Sequence, residues 1–297
     1  HANPHTFKQY INYKGNSIES VVSPDSKTLY STNMYGHYFD VIDIATMKHT
    51  KRVKVRGFPK VILLNRKGTR AYLSLWANAG FATVDLPSLA VSYWRTGRKN
   101  PRGMALSKDE KTLYLANNGN RNYTILQTAS LVPGQKPQMR HIPLGRGPRH
   151  AVMSKDGKRL YISIMGSSSV AIIDTANHKV LRRVKVGRKP KTIELSHDGK
   201  FLYTADYLGH SMTIMDTTTF QTAILQLEIV KASGLTVHPT DKYIYVTGWC
   251  TDDIWAIQRI NPGESANKPL GQGFRKYRGF ECRKCPRSFM GCRRKDR

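Results

Sequence analysis

Apolar and polar residues alternate in short runs along this chain, and the runs come in a fixed order. Residues 149–154 (RHAVMS) form one such run, followed by the polar group Lys155-Asp156-Gly157-Lys158 and the run 159–164 (RLYISI). Residues 165–168 then lead to 169–174 (SVAIID), and 175–178 lead to a last run, 179–186. Period-two alternation rich in β-branched and aromatic residues predicts strands, and Asp-Gly between two such runs predicts a hairpin. The order recurs six times. Tyr30, Tyr72, Tyr114, Tyr161, Tyr203 and Tyr245 stand 42, 42, 47, 42 and 42 residues apart. Thirteen residues after each comes Asp43, Asp85, Gln127, Asp174, Asp216 or Gln258. The five extra residues of the third repeat fall in the Pro/Gly-bearing stretch 133–138.

A period of about 40–45 residues with four strands per unit predicts β-propeller blades, each needing neighbours to bury its two faces. The sixth repeat supplies only three strands (235–237, 243–247 and 254–260) before Pro262-Gly263, whereas residues 7–13 (FKQYINY) read as an outer strand. Joining them predicts a single all-β, six-bladed β-propeller over residues 1–263, closed by an N-terminal strand that leaves no ring edge. Residues 264–297 read as an irregular, basic, cysteine-containing C-terminal extension.

The run Ser154-Lys155-Asp156-Gly157-Lys158-Arg159-Leu160-Tyr161 with residues 170–177 resembles the YVTN-type β-propeller repeat, as do residues 23–30 and 196–203. The second, third and sixth repeats are more degenerate, but the resemblance covers nearly all of residues 1–260. It implies the propeller fold and, since such repeats are common in envelope proteins, an exported chain of the periplasm or cell surface. About activity it implies little, because the repeat occurs in enzyme subunits, lactonase relatives and surface-layer proteins alike.

Charge changes the picture more than composition does. Aliphatic and aromatic residues make up 39% of the chain, enough for cores between blades, and no run approaches a membrane span. The net charge is +28. The extension 264–297 holds eleven Lys/Arg against three acids, so about +20 remains on the propeller itself. Such self-repulsion makes sense mainly with an anionic partner. The chain starts at His1, and export after leader cleavage is the expectation. In an exported protein Cys250, Cys282, Cys285 and Cys292 read as two disulfides, with one staple from the extension to Cys250. The rival is a zinc site, since Cys282 and Cys285 are spaced as a metal knuckle.

The connections between blades are basic: Arg56 to Lys60, Arg98 to Arg102, Arg146 to His150, and Arg188 to Lys191. Propeller topology gathers such loops on one face, around the central channel. Lys60, Arg102, Arg149 and Lys191 each follow the shared proline. Four residues beyond the repeat tyrosines lie Trp76, Tyr207 and Trp249, placed to stack on a ligand among these cations or to cap the blade cores. Lysines and arginines in loops are also ordinarily solvated, and repeat duplication alone copies a charge pattern. His150 is the best placed histidine. No nucleophile elbow, phosphate loop or dinucleotide fingerprint is present, so no catalytic residue, metal or cofactor is assigned.

The expectation is a non-enzymatic binding or assembly module of the cell envelope. Its partner would be an acidic protein of a larger complex or an anionic polysaccharide or lipid headgroup. Nucleic acid is disfavoured because no recognition motif accompanies the charge. The rival is an enzyme, or an enzyme subunit of lactonase, lyase or electron-transfer type. Its site would use His150 and Glu19, with the surrounding cations holding a carboxylate or phosphate.

Overall fold

The computed structural model describes residues 17–250, 253–259 and the strand 274–281. Six four-stranded antiparallel sheets make up the six-bladed β-propeller fold. Sheet one holds β1 (Ser17–Val22), β2 (Thr28–Asn33), β3 (Tyr38–Asp43) and β4 (Lys48–Lys54). Sheet two holds β5 (Pro59–Leu64), β6 (Arg70–Leu75), β7 (Gly80–Asp85) and β8 (Val91–Arg95). In sheet three are β9 (Pro101–Leu106), β10 (Thr112–Asn117), β11 (Asn122–Gln127) and β12 (Met139–Pro143). Sheet four consists of β13 (Pro148–Met153), β14 (Arg159–Ile164), β15 (Ser169–Asp174) and β16 (Val180–Lys185). Sheet five consists of β17 (Pro190–Leu195), β18 (Phe201–Asp206), β19 (Ser211–Asp216) and β20 (Thr222–Gln226). Sheet six consists of β21 (Ala232–Val237), β22 (Tyr243–Gly248), β23 (Asp253–Arg259) and β24 (Phe274–Glu281). The chain divides into two compact units, one carrying the first four sheets and the other the fifth and sixth.

The outermost strand of sheet six corrects one expectation. Its place beside β23 is filled by β24, from within the C-terminal extension. The strand expected there, residues 7–13, lies outside the described residues. Only residues 260–273 separate β23 from β24 in sequence, so this pairing closes a far shorter loop than one from the other end of the chain, and loop-closure entropy grows with loop length.

Local chemistry explains the hairpins. Between β13 and β14, Ser154 Oγ donates to Asp156 Oδ1 at 2.5 Å, and the carboxylate accepts the Lys158 amide at 2.9 Å. The Arg159 amide in turn donates to Ser154 Oγ at 2.9 Å. Ser23/Asp25, Ser107/Asp109 and Ser196/Asp198 repeat this arrangement. The serine bond, first among the causes, holds the Asp25, Asp109 and Asp156 carboxyls below their ordinary range. In the degenerate second repeat Asn65 does the same work, its Oδ1 accepting the Thr69 and Arg70 amides. The aspartates ending the third strands close the opposite turns, as Asp174 accepts the Ala176 amide at 2.7 Å.

Within each unit the core lies between neighbouring sheets. Tyr30, Phe39, Leu73 and Val84 fill the space between sheets one and two. Tyr72, Phe81, Trp94 and Leu113 join sheets two and three, and Tyr114, Tyr123, Ile162 and Ile173 join sheets three and four. In the other unit Tyr203, Ile214, Val246 and Trp255 lie between sheets five and six. Where first strands abut, there is no room for a side chain. A Cβ on Gly103 would stand 2.4 Å from the Cα of His150.

Candidate functional site

The cations expected in loops are placed otherwise. Lys60, Arg102, Arg149 and Lys191 are each the second residue of a sheet's first strand, directly after a buried proline. A proline tolerates this place because a strand's first residue can forgo its N–H in the ladder. Each of these strands then breaks register just past the proline, between Pro59 and Ile62, Pro148 and Ala151, and Pro190 and Thr192. Such a bulge frees an amide and re-aims a side chain. The freed amide of Val61 donates to Ser74 Oγ at 3.1 Å, that of His150 to Ser163 Oγ at 3.0 Å, and that of Gly234 to Thr247 Oγ1 at 3.0 Å. These hydroxyls sit two residues after the repeat tyrosines, a signal present in the sequence but unread there.

In the four-sheet unit three of the cations converge. The Arg102 guanidinium lies 4.1 Å from the Trp76 ring centroid, and Lys60 Nζ lies 4.8 Å from the same ring. Arg102 is only 9% exposed, and its Nε is buried with no hydrogen-bond partner among the described residues. Arg149 donates through Nη1 to the Met165 sulfur at 3.3 Å. Glu19 supplies the counter-charge. Its Oε1 accepts the Ile62 amide at 3.3 Å, while Thr32 Oγ1 donates to the carbonyls of Lys60 and Glu19 at 2.8 and 3.2 Å. The carboxylate is thereby tied to the strand that carries Lys60.

Electrostatics follow from this packing. Burial, then Arg102 and Arg149, push the Lys60 ammonium down to about 7, with Glu19 opposing. Burial and Arg149 also lower Arg102, again against Glu19, yet a guanidinium keeps its proton at neutral pH. The outcome is a lysine able to gain or lose a proton near neutrality, beside two fixed positive charges. Such a set can bind a carboxylate or phosphate and move a proton next to it.

The remaining expected residues are placed variously. Arg56 is exposed and rests over the Tyr93 ring at 5.1 Å. Arg98 is half-buried and depresses His141 after burial does. Arg146 and Arg188 are exposed on connections whose carbonyls accept the Gly166 and Gly209 amides. Lys191, Tyr207 and Trp249 belong to the other unit, where Lys191 Nζ lies 5.0 and 4.4 Å from the two rings. Cys250 is disulfide-bonded, while Cys282, Cys285 and Cys292 lie outside the described residues. No group of three or more metal-ligating side chains occurs among the described residues. No helix among them is long and apolar enough to cross a membrane.

Fold and site together define a β-propeller with a cationic cluster on its first strands. A sequence-family model, the cytochrome D1 heme domain, matches residues 145–245. No curated protein sequence matches the chain. Kuenenia stuttgartiensis hydrazine synthase is similar with a TM-score of 0.73 at 23% identity, over 85% of this chain and 80% of that one. A putative 6-phosphogluconolactonase from Bacteroides uniformis gives 0.71 at 16% identity, over 82% and 81%. Virginiamycin B lyase from Staphylococcus aureus gives 0.72 at 11% identity, over 90% and 85%. Likeness at these identities establishes the propeller fold.

These findings correct the expectation of a non-enzymatic module. The structures sharing the fold carry the names of a synthase, a lactonase and a lyase, and the matched model is that of a heme domain. The misreading has a physical cause, since repeat periodicity and net charge report scaffold and surface, whereas the buried cations belong to no motif.

Two histidines of the matched stretch are not set to hold a heme iron. His210 and His238 each accept a backbone N–H at Nδ1, from Lys231 at 3.1 Å and Thr240 at 3.2 Å. That puts the ring proton on Nε2 and removes the lone pair that would ligate. His197 lies exposed on a hairpin turn, and His178 packs against the Tyr114 ring. His150 follows Arg149, and a cationic neighbour opposes a bound metal ion. The cations would suit a tetrapyrrole's acidic side arms, but His210 and His238, bonded as they are, would not ligate its iron.

Proposed function

We propose that the chain is an enzyme, or the substrate-binding subunit of one, acting on a small carboxylate- or phosphate-bearing molecule at Glu19, Lys60, Arg102 and Arg149. One observation carries this reading: the nine-tenths buried Arg102, whose Nε lacks a partner among the described residues, beside a lysine held near neutrality. Arg102 and Arg149 hold the anionic group, and Trp76 fixes the guanidinium plane. Lys60, neutral above about pH 7, takes a proton from the substrate or from an attacking water. A C–O bond then breaks, and the new ammonium returns the proton to the departing oxygen. Lyase and lactonase reactions share this step, and the names borne by proteins of the same fold support it.

The test is turnover of a panel of acidic lactones and β-eliminating esters between pH 6 and 9. Turnover rises through a limb near pH 7, Lys60→Met abolishes it, and Arg102→Met raises KM about tenfold or more. Turnover indifferent to Lys60→Met, or absent across the panel, overturns the reading.

A further inference from the structure

The unit formed by sheets five and six carries a second cation–aromatic device, built at the same register as the first. Lys191 occupies on β17 the place of Lys60 on β5, at a bulge just after a proline. Its Nζ lies 4.4 Å from the Trp249 ring and 5.0 Å from the Tyr207 ring. Lys231 reaches the Tyr207 ring as well, at 5.9 Å. Two lysines thus converge on one tyrosine, each held by ring faces whose quadrupoles attract a cation.

Trp249 is the informative member. It is 41% exposed, whereas Trp94 and Trp255 are 5% and 6% exposed and belong to the core. The acid on the same strand, Glu194, is half-buried and bonded to Thr236, and burial pushes it up to about 7, so it is only partly charged at neutral pH. Thr192 Oγ1 donates to the Ser233 carbonyl at 2.7 Å and fixes β17 against β21. Lys191 thus lies over an open indole, and Lys231 lies over the tyrosine ring that the same lysine also faces.

We propose that Lys191, Tyr207, Lys231 and Trp249 form a second binding site, for a ring compound carrying an acidic group. The ring stacks on the exposed face of Trp249 and the acid is taken by the two lysines. Stacking on tryptophan suits any ring with a polarised or apolar face. An acidic sugar and a nucleotide share this chemistry, and the experiment separates them. All four residues belong to sheets five and six, and their role does not depend on the reaction assigned to Lys60.

The test uses the full chain carrying Arg102→Met, which disables the first site, titrated calorimetrically with glucuronate, adenosine monophosphate and inorganic phosphate. At least one ring compound binds about tenfold or more tightly than phosphate, and the tighter of the two names the source. Trp249→Ala and Lys191→Met each weaken that binding about tenfold or more, while Trp249→Phe, which keeps a ring face, retains most of it. Ring compounds that bind no better than phosphate overturn the proposal. So does binding untouched by Trp249→Ala, or lost equally in Trp249→Phe and Trp249→Ala.

Discussion

Lys60 is where function and stability pull in opposite directions. Its amine titrates at about 7 in the folded chain against an ordinary 10.5. Below pH 7 it is charged in both states and the burial penalty is fully present. Between 7 and 10.5 the unfolded chain still holds the proton that the folded chain has released, so stability rises with pH. Replacing Lys60 with Met therefore stabilises the fold by roughly 1–3 kcal/mol at pH 6. The gain shrinks toward pH 10, as thermal melts across that range will record. Glu194 carries the opposite sign. Burial raises it from 4.5 to about 7, so the folded chain keeps a proton that the unfolded chain has lost, and stability falls as pH rises from 4.5 to 7. Glu194→Gln removes that slope and is more stable at pH 8 by about 1–3 kcal/mol. The sequence placed Lys60, Arg102 and Arg149 at one register, but their burial was not legible. Burial depends on the bulge after each proline and on Ser74 and Ser163, which read simply as polar residues of a second strand.

At the scale of elements, the bulged first strands are what the site is made of. Their close approach leaves no space at Gly103, where a Cβ would meet the His150 backbone at 2.4 Å. Gly103→Ala forces β9 away from β13, separates Arg102 from Arg149, and costs about 1–3 kcal/mol. Chemical denaturation checks the cost, and a weakened response of Lys60 to its cationic neighbours accompanies it. The hairpins were legible because a serine, an aspartate and a glycine or its substitute stand at fixed offsets, as Ser154, Asp156 and Gly157 do. The last strand of sheet six was not. The repeat pattern ends before residue 260, and nothing in periodicity says that a segment beyond Pro262-Gly263 returns to pair with β23.

For the whole molecule, the spacing of six tyrosines was enough to define six sheets. A repeat of 42 residues is a statement about sheets that must pack on one another, so architecture is written redundantly and survives degeneracy in any one copy. The proposed function rests instead on a few side chains whose reactivity comes from environment. The net charge of +28 pointed to an anionic partner, and the reading of that partner as a small substrate rests on Lys60 and Arg102 gathered at Trp76 with Arg149 beside them. Lys60 reactivity tests this most directly, followed by competitive acylation and peptide mass mapping from pH 5 to 11, with and without 6-phosphogluconate as an acidic probe. The expected midpoint lies near 7, with protection by the probe that disappears in Arg102→Met. A midpoint near 10.5, with no protection, would contradict it.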